Sequence, residues 1–206
     1  MTSVVTLFDE RAERAGLSVD PELKEKLLSY YSLLTRWNEK INLTALTDPA
    51  AAIDRLLIEP VSAAPYLPLS TPMADLGSGG GSPAIPLALV LRAPSLLMVE
   101  SRSRKAAFLR EAARVVGINA TVEAVRFEDV EGLSRWTASV GLVSIRAVTP
   151  DATVLSLAAR LCQARGTVAL FAASDLLVEL PKGSFERSTW NIRPSGMLIT
   201  FHVEHN

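Results

Sequence analysis

The chain has 206 residues, of which 49% are hydrophobic and 21% are charged, and its formal net charge is −1. This length suits one well-buried α/β domain with a small appendage, and it is short for two full domains. The charge excludes a strongly basic nucleic-acid-binding protein, so any RNA affinity has to come from a local patch.

The sequence predicts neither a signal peptide nor a membrane span. The first residues lack a basic start followed by an apolar run, and no stretch holds about 18 uncharged apolar residues. The single cysteine, Cys162, lies in an apolar helical run and cannot form an internal disulfide. We therefore interpret it as a small core residue and expect a cytoplasmic protein with no membrane contact.

The first predicted element is an amphipathic helix that begins after Asp20. Its apolar residues recur every three or four positions and form one face. They are Leu23, Leu27, Tyr30, Leu34, Trp37 and Ile41. Residues 1–65 are therefore expected to form a helical appendage. The proline-rich segment Pro65–Pro72 predicts a linker, so the core is expected to cover residues 66–206.

Four helix starts are marked by a capping side chain followed by proline. The side-chain oxygen can accept a hydrogen bond from a free first-turn N–H, and proline loses nothing at the first helical position. The four pairs are Asp20-Pro21, Asp48-Pro49, Ser82-Pro83 and Thr149-Pro150. Each pair predicts the start of a helix.

After the linker, short predicted strands alternate with helices. The strands are expected at 73–76, 96–100, near 120–125, near 140–146 and at 167–172. The helices are expected at 83–92, at 103–116 with a stop at Gly117, near 127–134, and from 150 to about 166. This alternation predicts an α/β fold with a mostly parallel, Rossmann-like sheet. Two further strands, at 185–192 and 197–203, predict an antiparallel hairpin on the sheet edge.

A glycine-rich loop joins the first core strand to the next helix. Asp75 precedes it, Gly77 and Gly79 lie within it, and Glu100 closes the second strand. Glycines let the backbone approach a ligand closely, and an acid at the second strand end can accept the ribose hydroxyls of an adenosine. A dinucleotide fingerprint needs glycine at the sixth position, where Ser82 stands. The pattern instead resembles the first motif of Rossmann-like methyltransferases, which predicts S-adenosylmethionine as cofactor.

Longer segments resemble one family in particular. The chain carries WNEKINLT at Trp37–Thr44, DLGSGGGSPAIPL at Asp75–Leu87, FLRE at Phe108–Glu111 and RAV at Arg146–Val148. From about residue 20 to 172 it resembles the bacterial small-subunit (16S) ribosomal RNA guanine-7 methyltransferases, also called glucose-inhibited division protein B. The resemblance implies a class I methyltransferase fold, S-adenosylmethionine as cofactor, and ribosomal RNA or the small ribosomal particle as partner.

The resemblance also implies which residues form the site. Those implied at the cofactor are Asp75, Gly77, Gly79, Ser82, Glu100, Phe127, Glu128 and Arg146. Ser82 stands where the family usually has Phe or Leu, and Glu100 replaces an aspartate. Arg146 is also the candidate for orienting the methyl acceptor, with a structural salt bridge as the alternative. The residues implied near the substrate are Asn42, Arg55 and Arg126.

Three departures from the family lie in the substrate half of the chain. Leu56 replaces a usual histidine, Ala172 replaces a usual lysine, and Gly196 stands near the place of a basic residue. Each is a lost candidate contact with RNA. Three hypotheses therefore stay open: a ribosomal RNA methyltransferase, a related methyltransferase with another substrate, and a non-catalytic binding module that kept the fold.

The other polar features have ordinary interpretations. The basic residues within 102–110 are interpreted as a solvated helix face rather than an RNA contact. His202 and His205 form no metal-ligand pattern, so no metal is expected. We also expect a monomer.

Guanine nitrogen 7 already presents a lone pair, so its methylation needs alignment more than a general base. The lack of an obvious acid–base pair is therefore compatible with an enzyme.

Overall fold

The computed structural model describes residues 3–126, 129, 133–173 and 184–204. Its α-helices are α1 (Val4–Arg14), α2 (Pro21–Asn38), α3 (Pro49–Ile53), α4 (Glu59–Ala63), α5 (Ala84–Val90), α6 (Ser103–Val116) and α7 (Ala152–Leu161). Its strands are β1 (Met73–Leu76), β2 (Leu96–Val99), β3 (Ala120–Glu123), β4 (Val140–Arg146), β5 (Cys162–Ala172), β6 (Ser184–Ile192) and β7 (Gly196–Val203). Short 3-10 turns lie at Ala64–Tyr66 and Ser134–Trp136. The helix expected near 127–134 lies largely outside the described residues.

The strands form one seven-stranded sheet in the order β3-β2-β1-β4-β5-β7-β6. The first five strands in this order pair in parallel, whereas β7 is antiparallel to both β5 and β6. The predicted α/β class, mostly parallel sheet and C-terminal hairpin are therefore confirmed. Because the chain runs from β1 outward to β2 and later returns to β4, the carboxyl ends of β1 and β4 flank the point where such sheets bind ligands.

Two of the four predicted helix caps are confirmed. The Asp20 carboxylate accepts hydrogen bonds from the backbone N–H groups of Glu22 and Leu23 at 3.0 and 3.2 Å. The Asp48 carboxylate accepts one from Ala51 at 2.8 Å. Both caps belong to the N-terminal helices, and both precede a proline at the first helical position.

The other two predicted caps are wrong. Helix α5 starts at Ala84 without a side-chain cap, because the Ser82 hydroxyl donates instead to the Leu56 carbonyl at 2.9 Å. Helix α7 starts at Ala152, where Asp151 accepts the hydrogen bond from Val154 at 3.0 Å. Helix α7 also ends earlier than expected, since Cys162 is already extended and pairs with Val140 of β4.

The helices cover the sheet on two sides. Helix α7 packs with the inward residues of β4 and β5 in one hydrophobic cluster. On the other side a larger cluster joins Leu27 and Leu34 of α2 to Ile85 of α5 and Phe108 of α6. The N-terminal helices thus share a core with the helices that cover the sheet, and the division at residue 65 stays a prediction. No helix among the described ranges has the length and apolarity needed to cross a membrane.

One helical segment, residues 49–63, contains a defect that shapes the site. Between α3 and α4 the chain makes a wider π turn at Asp54–Ile58, which is followed closely by Pro60. Proline has no N–H, so Pro60 cannot donate to the carbonyl of Leu56 or to that of Arg55. These two carbonyl groups remain available for other partners.

Candidate active site

A cavity of about 790 Å³ lies at the carboxyl ends of β1, β2 and β4. This volume is within the range of small-molecule and cofactor pockets, about 300–1,000 Å³. Its polar wall residues include Arg55, Gly77, Gly79, Ser82, Glu100, Arg126 and Arg146. The structure therefore brings together most of the site residues that the sequence predicts, from five separate segments.

The glycine loop forms one wall of the cavity. Gly77, Gly79 and Gly81 all have positive φ, at 76°, 51° and 86°. The φ of Gly81 disfavours other residues, and a Cβ there would also force the Ile85 Cδ1 atom, 2.8 Å away, to shift. The Tyr30 hydroxyl of α2 donates to the Gly80 carbonyl at 2.6 Å. Helix α2 therefore supports the glycine loop through this hydrogen bond.

Glu100 stands at the carboxyl end of β2 and faces the same cavity. One of its carboxylate oxygens accepts the Gly79 N–H at 2.9 Å, and the other accepts the Arg102 N–H at 2.8 Å. Its exposed fraction is 8%. Because an ionised carboxylate has about four acceptor positions, Glu100 can still accept both ribose hydroxyls of an adenosine.

These walls fit S-adenosylmethionine. The glycine loop lets the backbone approach the amino-acid part of the cofactor, and Glu100 supplies the acceptors for the ribose. Leu43 and Leu46 of the N-terminal segment and Val125 after β3 add apolar surface to the cavity. Phe127 and Glu128, expected at the adenine, lie outside the described residues.

Asp75 does not line this cavity, in contrast to its predicted role at the cofactor. The strand register places it beside Ser144 of β4, whose hydroxyl donates to its carboxylate at 2.5 Å. Only 1% of Asp75 is exposed. Burial raises its pKa to about 6, although the hydrogen bonds from Ser144 and Ser78 oppose the shift. Any action of Asp75 on a ligand has to pass through the loop that follows it.

Arg146, the last residue of β4, is held by three acceptors. One terminal nitrogen of its guanidinium donates to the Arg55 carbonyl at 2.6 Å and to the Ser82 hydroxyl at 3.2 Å. The other donates to the Glu59 carboxylate at 3.1 Å. The register of β4 with β5 also places the guanidinium over the Phe171 ring, 4.6 Å from its centre. Burial lowers the pKa of Arg146 to about 10, which still leaves it charged at neutral pH.

Glu59 is the acid that neutralises this arginine. It is 2% exposed and accepts hydrogen bonds from Arg55 at 2.6 Å and from Arg146 at 3.1 Å. Burial raises the pKa of Glu59, whereas the two guanidinium groups act in the opposite direction. The predicted salt bridge of Arg146 is therefore present, and Arg146 also lines the cavity, whereas its role in orienting the methyl acceptor stays a prediction.

The helix defect and the terminal hairpin complete this wall. The Arg55 carbonyl accepts a hydrogen bond from Arg146, and the Leu56 carbonyl accepts one from Ser82. The helix defect at Pro60 thus supplies two acceptors that a regular helix would have used internally. Gly196, at the start of β7, lies against Glu59: a Cβ there would be 2.9 Å from the carboxyl carbon. The glycine that replaces a usual basic residue thus makes room for the Glu59 side chain.

The remaining predicted substrate residues are divided between two places. Arg55 and Arg126 line the cofactor cavity, whereas exposed Asn42 lines a neighbouring groove. Asn38, four residues before Asn42, stabilises the backbone of this segment, because its side-chain oxygen accepts the N–H groups of Leu43 and Thr44 at 2.9 Å each. No group of three or more potential metal ligands occurs in the described part of the chain.

Sequence reasoning missed Glu59 and Tyr30 as parts of the site. For Glu59 a signal exists: it is a single acid within the apolar run LLIEPV at residues 56–61. A charged residue in such a run predicts a buried ion pair, because an unpaired buried charge is very costly. Tyr30 gives no comparable signal, since a tyrosine on an apolar helix face is an ordinary core residue.

Comparison with known proteins gives matches over most of the chain. A ribosomal RNA small subunit methyltransferase G from Granulibacter bethesdensis is 37% identical over 180 residues, which cover 87% of this chain and 80% of that protein. The protein of the same name from Dichelobacter nodosus is 35% identical over 153 residues, covering 66% and 72% of the two chains.

Solved structures support the fold. TrmN from Thermus thermophilus superposes with a TM-score of 0.54 at 18% identity, covering 86% of this chain and 53% of that one. A precorrin-6y C5,15-methyltransferase from Geobacter metallireducens gives 0.52 at 17% identity, with 80% and 92% covered. The model of the GidB family, described as rRNA small subunit methyltransferase G, matches residues 23–198. The chain therefore belongs to the rRNA small subunit methyltransferase G family and is an S-adenosylmethionine-dependent methyltransferase.

Proposed function

We propose that the chain methylates ring nitrogen 7 of a guanine in small-subunit ribosomal RNA. The observation that carries this proposal is that the described residues of the cavity wall offer no carboxylate, histidine, cysteine or tyrosine as a base beyond Glu100. Among the described residues that line the cavity, Glu100 is the only carboxylate, and none is a histidine, cysteine or tyrosine. Glu59 is paired with two arginines, and Asp75 is buried below the loop.

A wall without a free base suits an acceptor that has no proton to lose. The cofactor supplies an electrophilic methyl group on a sulfonium, and nitrogen 7 of guanine presents a lone pair in the ring plane. The chain then has to align the two partners and exclude water. Arg146 is held by the Arg55 carbonyl, the Ser82 hydroxyl and Glu59, and one N–H of the terminal nitrogen that contacts Glu59 is not used by these contacts. Arg146 can therefore present a fixed donor to the base, whereas the single O–H of Ser82 is already donated to the Leu56 carbonyl.

The same arrangement supports one chain as the functional unit. Both walls of the cavity come from a single copy, so we propose a monomer that acts where ribosomal particles are assembled, in the cytoplasm. The alternative of a different methyl acceptor is favoured by the loss of the usual polar groups at Leu56, Ala172 and Gly196. The experiment below distinguishes guanine nitrogen 7 from a different methyl acceptor.

The test uses small-subunit particles, and the deproteinised RNA from them, isolated from cells that lack this gene. Each is incubated with the purified chain and cofactor labelled in its methyl group, and the nucleosides are separated by mass spectrometry. We expect labelled 7-methylguanosine at one site, and little label with the Glu100→Ala variant. Label in another nucleoside would correct the acceptor, and no label in either substrate would contradict the RNA assignment.

A further inference from the structure

A basic groove leads away from the cofactor cavity along the junction of α2 and α6. It has a volume of about 610 Å³ and is lined by Lys40, Ile41, Asn42, Ser101, Arg102, Ser103, Arg104 and Lys105. Ser101, Arg102 and Lys105 also line the cofactor cavity, so the two spaces meet there. A further depression of about 530 Å³ continues from Lys40 and Arg104 to Arg36 and Trp37.

The packing of two distant segments creates this groove. Trp37 at the end of α2 lies edge-on against Phe108 of α6, with ring centres 5.8 Å apart. This contact places Lys40, just after α2, beside Arg104 in the first turn of α6. In the sequence alone the cations of α6 have the pattern of a solvated face, because their separation from Lys40 conceals the shared groove.

Among the residues that the structure describes, the groove cations have no counter-ions. Lys40, Arg102, Arg104 and Lys105 form no ion pair with any carboxylate of the described residues, and three of them are exposed while Lys105 is half-buried. The one acid that lines either part of the groove, within those residues, is Glu111 at its far end. The cluster therefore keeps its positive charge for an external anion.

The position of these cations is also unfavourable for the helix. Three of them stand at the amino end of α6, whose first turn contains no acid. Cations at this end of a helix oppose the helix dipole and therefore destabilise the helix. A bound anion would remove this conflict, since it interacts favourably with the side chains and with the dipole.

We propose that this groove binds the phosphate backbone of the RNA strand that flanks the methylated nucleotide. The inference rests on the proposed function, because it names the surface through which the same substrate is held. Four cations in a row suit a polyanion, and the junction at Arg102 and Lys105 leads that strand to the cofactor cavity. The net charge of −1 is no obstacle, since the positive charge is concentrated here.

The test is the affinity for small-subunit particles and for deproteinised small-subunit RNA at several salt concentrations. The variant is the double substitution Lys40→Ala and Arg104→Ala, because neither residue lines the cofactor cavity. Each single-strand phosphate contact contributes about −0.7 to the slope of log affinity against log salt. We expect a slope of about −2.8 for the native chain and about −1.4 for the variant, and at 0.1 M salt about 25-fold weaker RNA binding.

Arg114→Ala is the matched control. Arg114 is an exposed arginine of the same helix, but it lies three turns further on and outside the groove. Its substitution should leave RNA affinity within about two-fold and the salt slope unchanged. Calorimetry with S-adenosylmethionine should give the same affinity for all three proteins.

The outcomes separate this inference from the proposed function. If the native chain methylates particles but the double variant keeps its RNA affinity and slope, the groove assignment is wrong and the function stands. If the variant loses affinity for particles but not for deproteinised RNA, the groove binds a ribosomal protein and the RNA assignment is overturned. If the native chain binds RNA with the expected slope but transfers no methyl group, the proposed function fails and the groove remains an RNA site.

Discussion

The two walls of the cavity are built on different physical principles. The wall that we propose holds the cofactor, called the cofactor wall below, consists mainly of backbone: it includes two glycines with positive φ, Gly77 and Gly79, and one acid that accepts two N–H groups. The wall that we propose faces the methyl acceptor, called the acceptor wall below, consists of side chains from distant segments that hydrogen-bond to one another, with Arg146 joined to Glu59, Ser82 and the Arg55 carbonyl. The first wall depends on local sequence, whereas the second depends on the whole fold, so substitutions in the two walls should have different effects.

The largest expected effect belongs to the acceptor wall and concerns stability. Glu59→Gln leaves the buried Arg146 charge without its carboxylate, and breaking such a buried pair typically costs about 3–5 kcal/mol of the free energy of unfolding. Urea denaturation at pH 7 measures this loss. The exposed pair between Asp9 and Lys24 offers a control, since Asp9→Asn should cost no more than about 1 kcal/mol. Equal losses of the free energy of unfolding in the two variants would show that the Glu59 pair contributes no more to stability than an exposed ion pair.

The next effect separates acceptor alignment from cofactor binding. Arg146→Lys keeps a positive charge beside Glu59, but a single ammonium cannot reproduce the planar contacts with the Arg55 carbonyl, Ser82 and Glu59. We expect methyl transfer to slow by about 100-fold, the usual cost of misplacing a reacting group. The affinity for S-adenosylmethionine, measured by calorimetry, should stay within a few-fold. An equal loss of affinity for S-adenosylmethionine would show that Arg146 acts on the cofactor.

The matching test of the cofactor wall is Glu100→Ala. This change removes the acceptor for the ribose hydroxyls and the partner of the Gly79 N–H. Binding of S-adenosylmethionine should weaken by about 1.5–3 kcal/mol, the scale of hydrogen bonds to a charged group. Isothermal titration calorimetry measures the change, and Glu123→Gln, an acid at the end of the neighbouring strand β3, serves as control. Unchanged affinity would leave the ribose without its proposed partner.

The last expected effect concerns Asp75, which is buried below the glycine loop and accepts a hydrogen bond from Ser144 of β4. The pKa of Asp75 is raised from 3.8 to about 6 in the folded chain, so the folded state binds more protons than the unfolded state between these values. Its contribution to stability is therefore present below pH 4 and is lost as the pH rises through 6. Asp75→Asn should remove this slope and raise the free energy of unfolding at pH 7 by no more than about 3 kcal/mol, the upper limit set by a pKa rise from 3.8 to about 6. Denaturation curves between pH 4 and 7 would contradict this if both proteins showed the same dependence.

The contrast between the walls also explains what the sequence could predict. Strand β1, the glycine loop and Glu100 are close together in the sequence, and their pattern has a direct physical meaning, so their positions in the fold could be predicted. Their contacts with the cofactor stay a prediction. The Ser82 cap was wrong because its hydroxyl has a better partner in the Leu56 carbonyl, which is free only because Pro60 follows in a distant helix. The paired roles of Glu59 and Gly196 need three-dimensional proximity across more than 130 residues, which no local pattern reports.

The hydrogen bond from Tyr30 of α2 to the Gly80 carbonyl should couple α2 to cofactor binding, because it supports the glycine loop. Conformations in which α2 has left the core lack the support of the glycine loop, and they should bind cofactor poorly. By mass action, cofactor at one hundred times its dissociation constant then lowers the population of such open conformations by about 100-fold. Hydrogen exchange along α2 would therefore report the filling of a cavity to which most of this helix makes no direct contact.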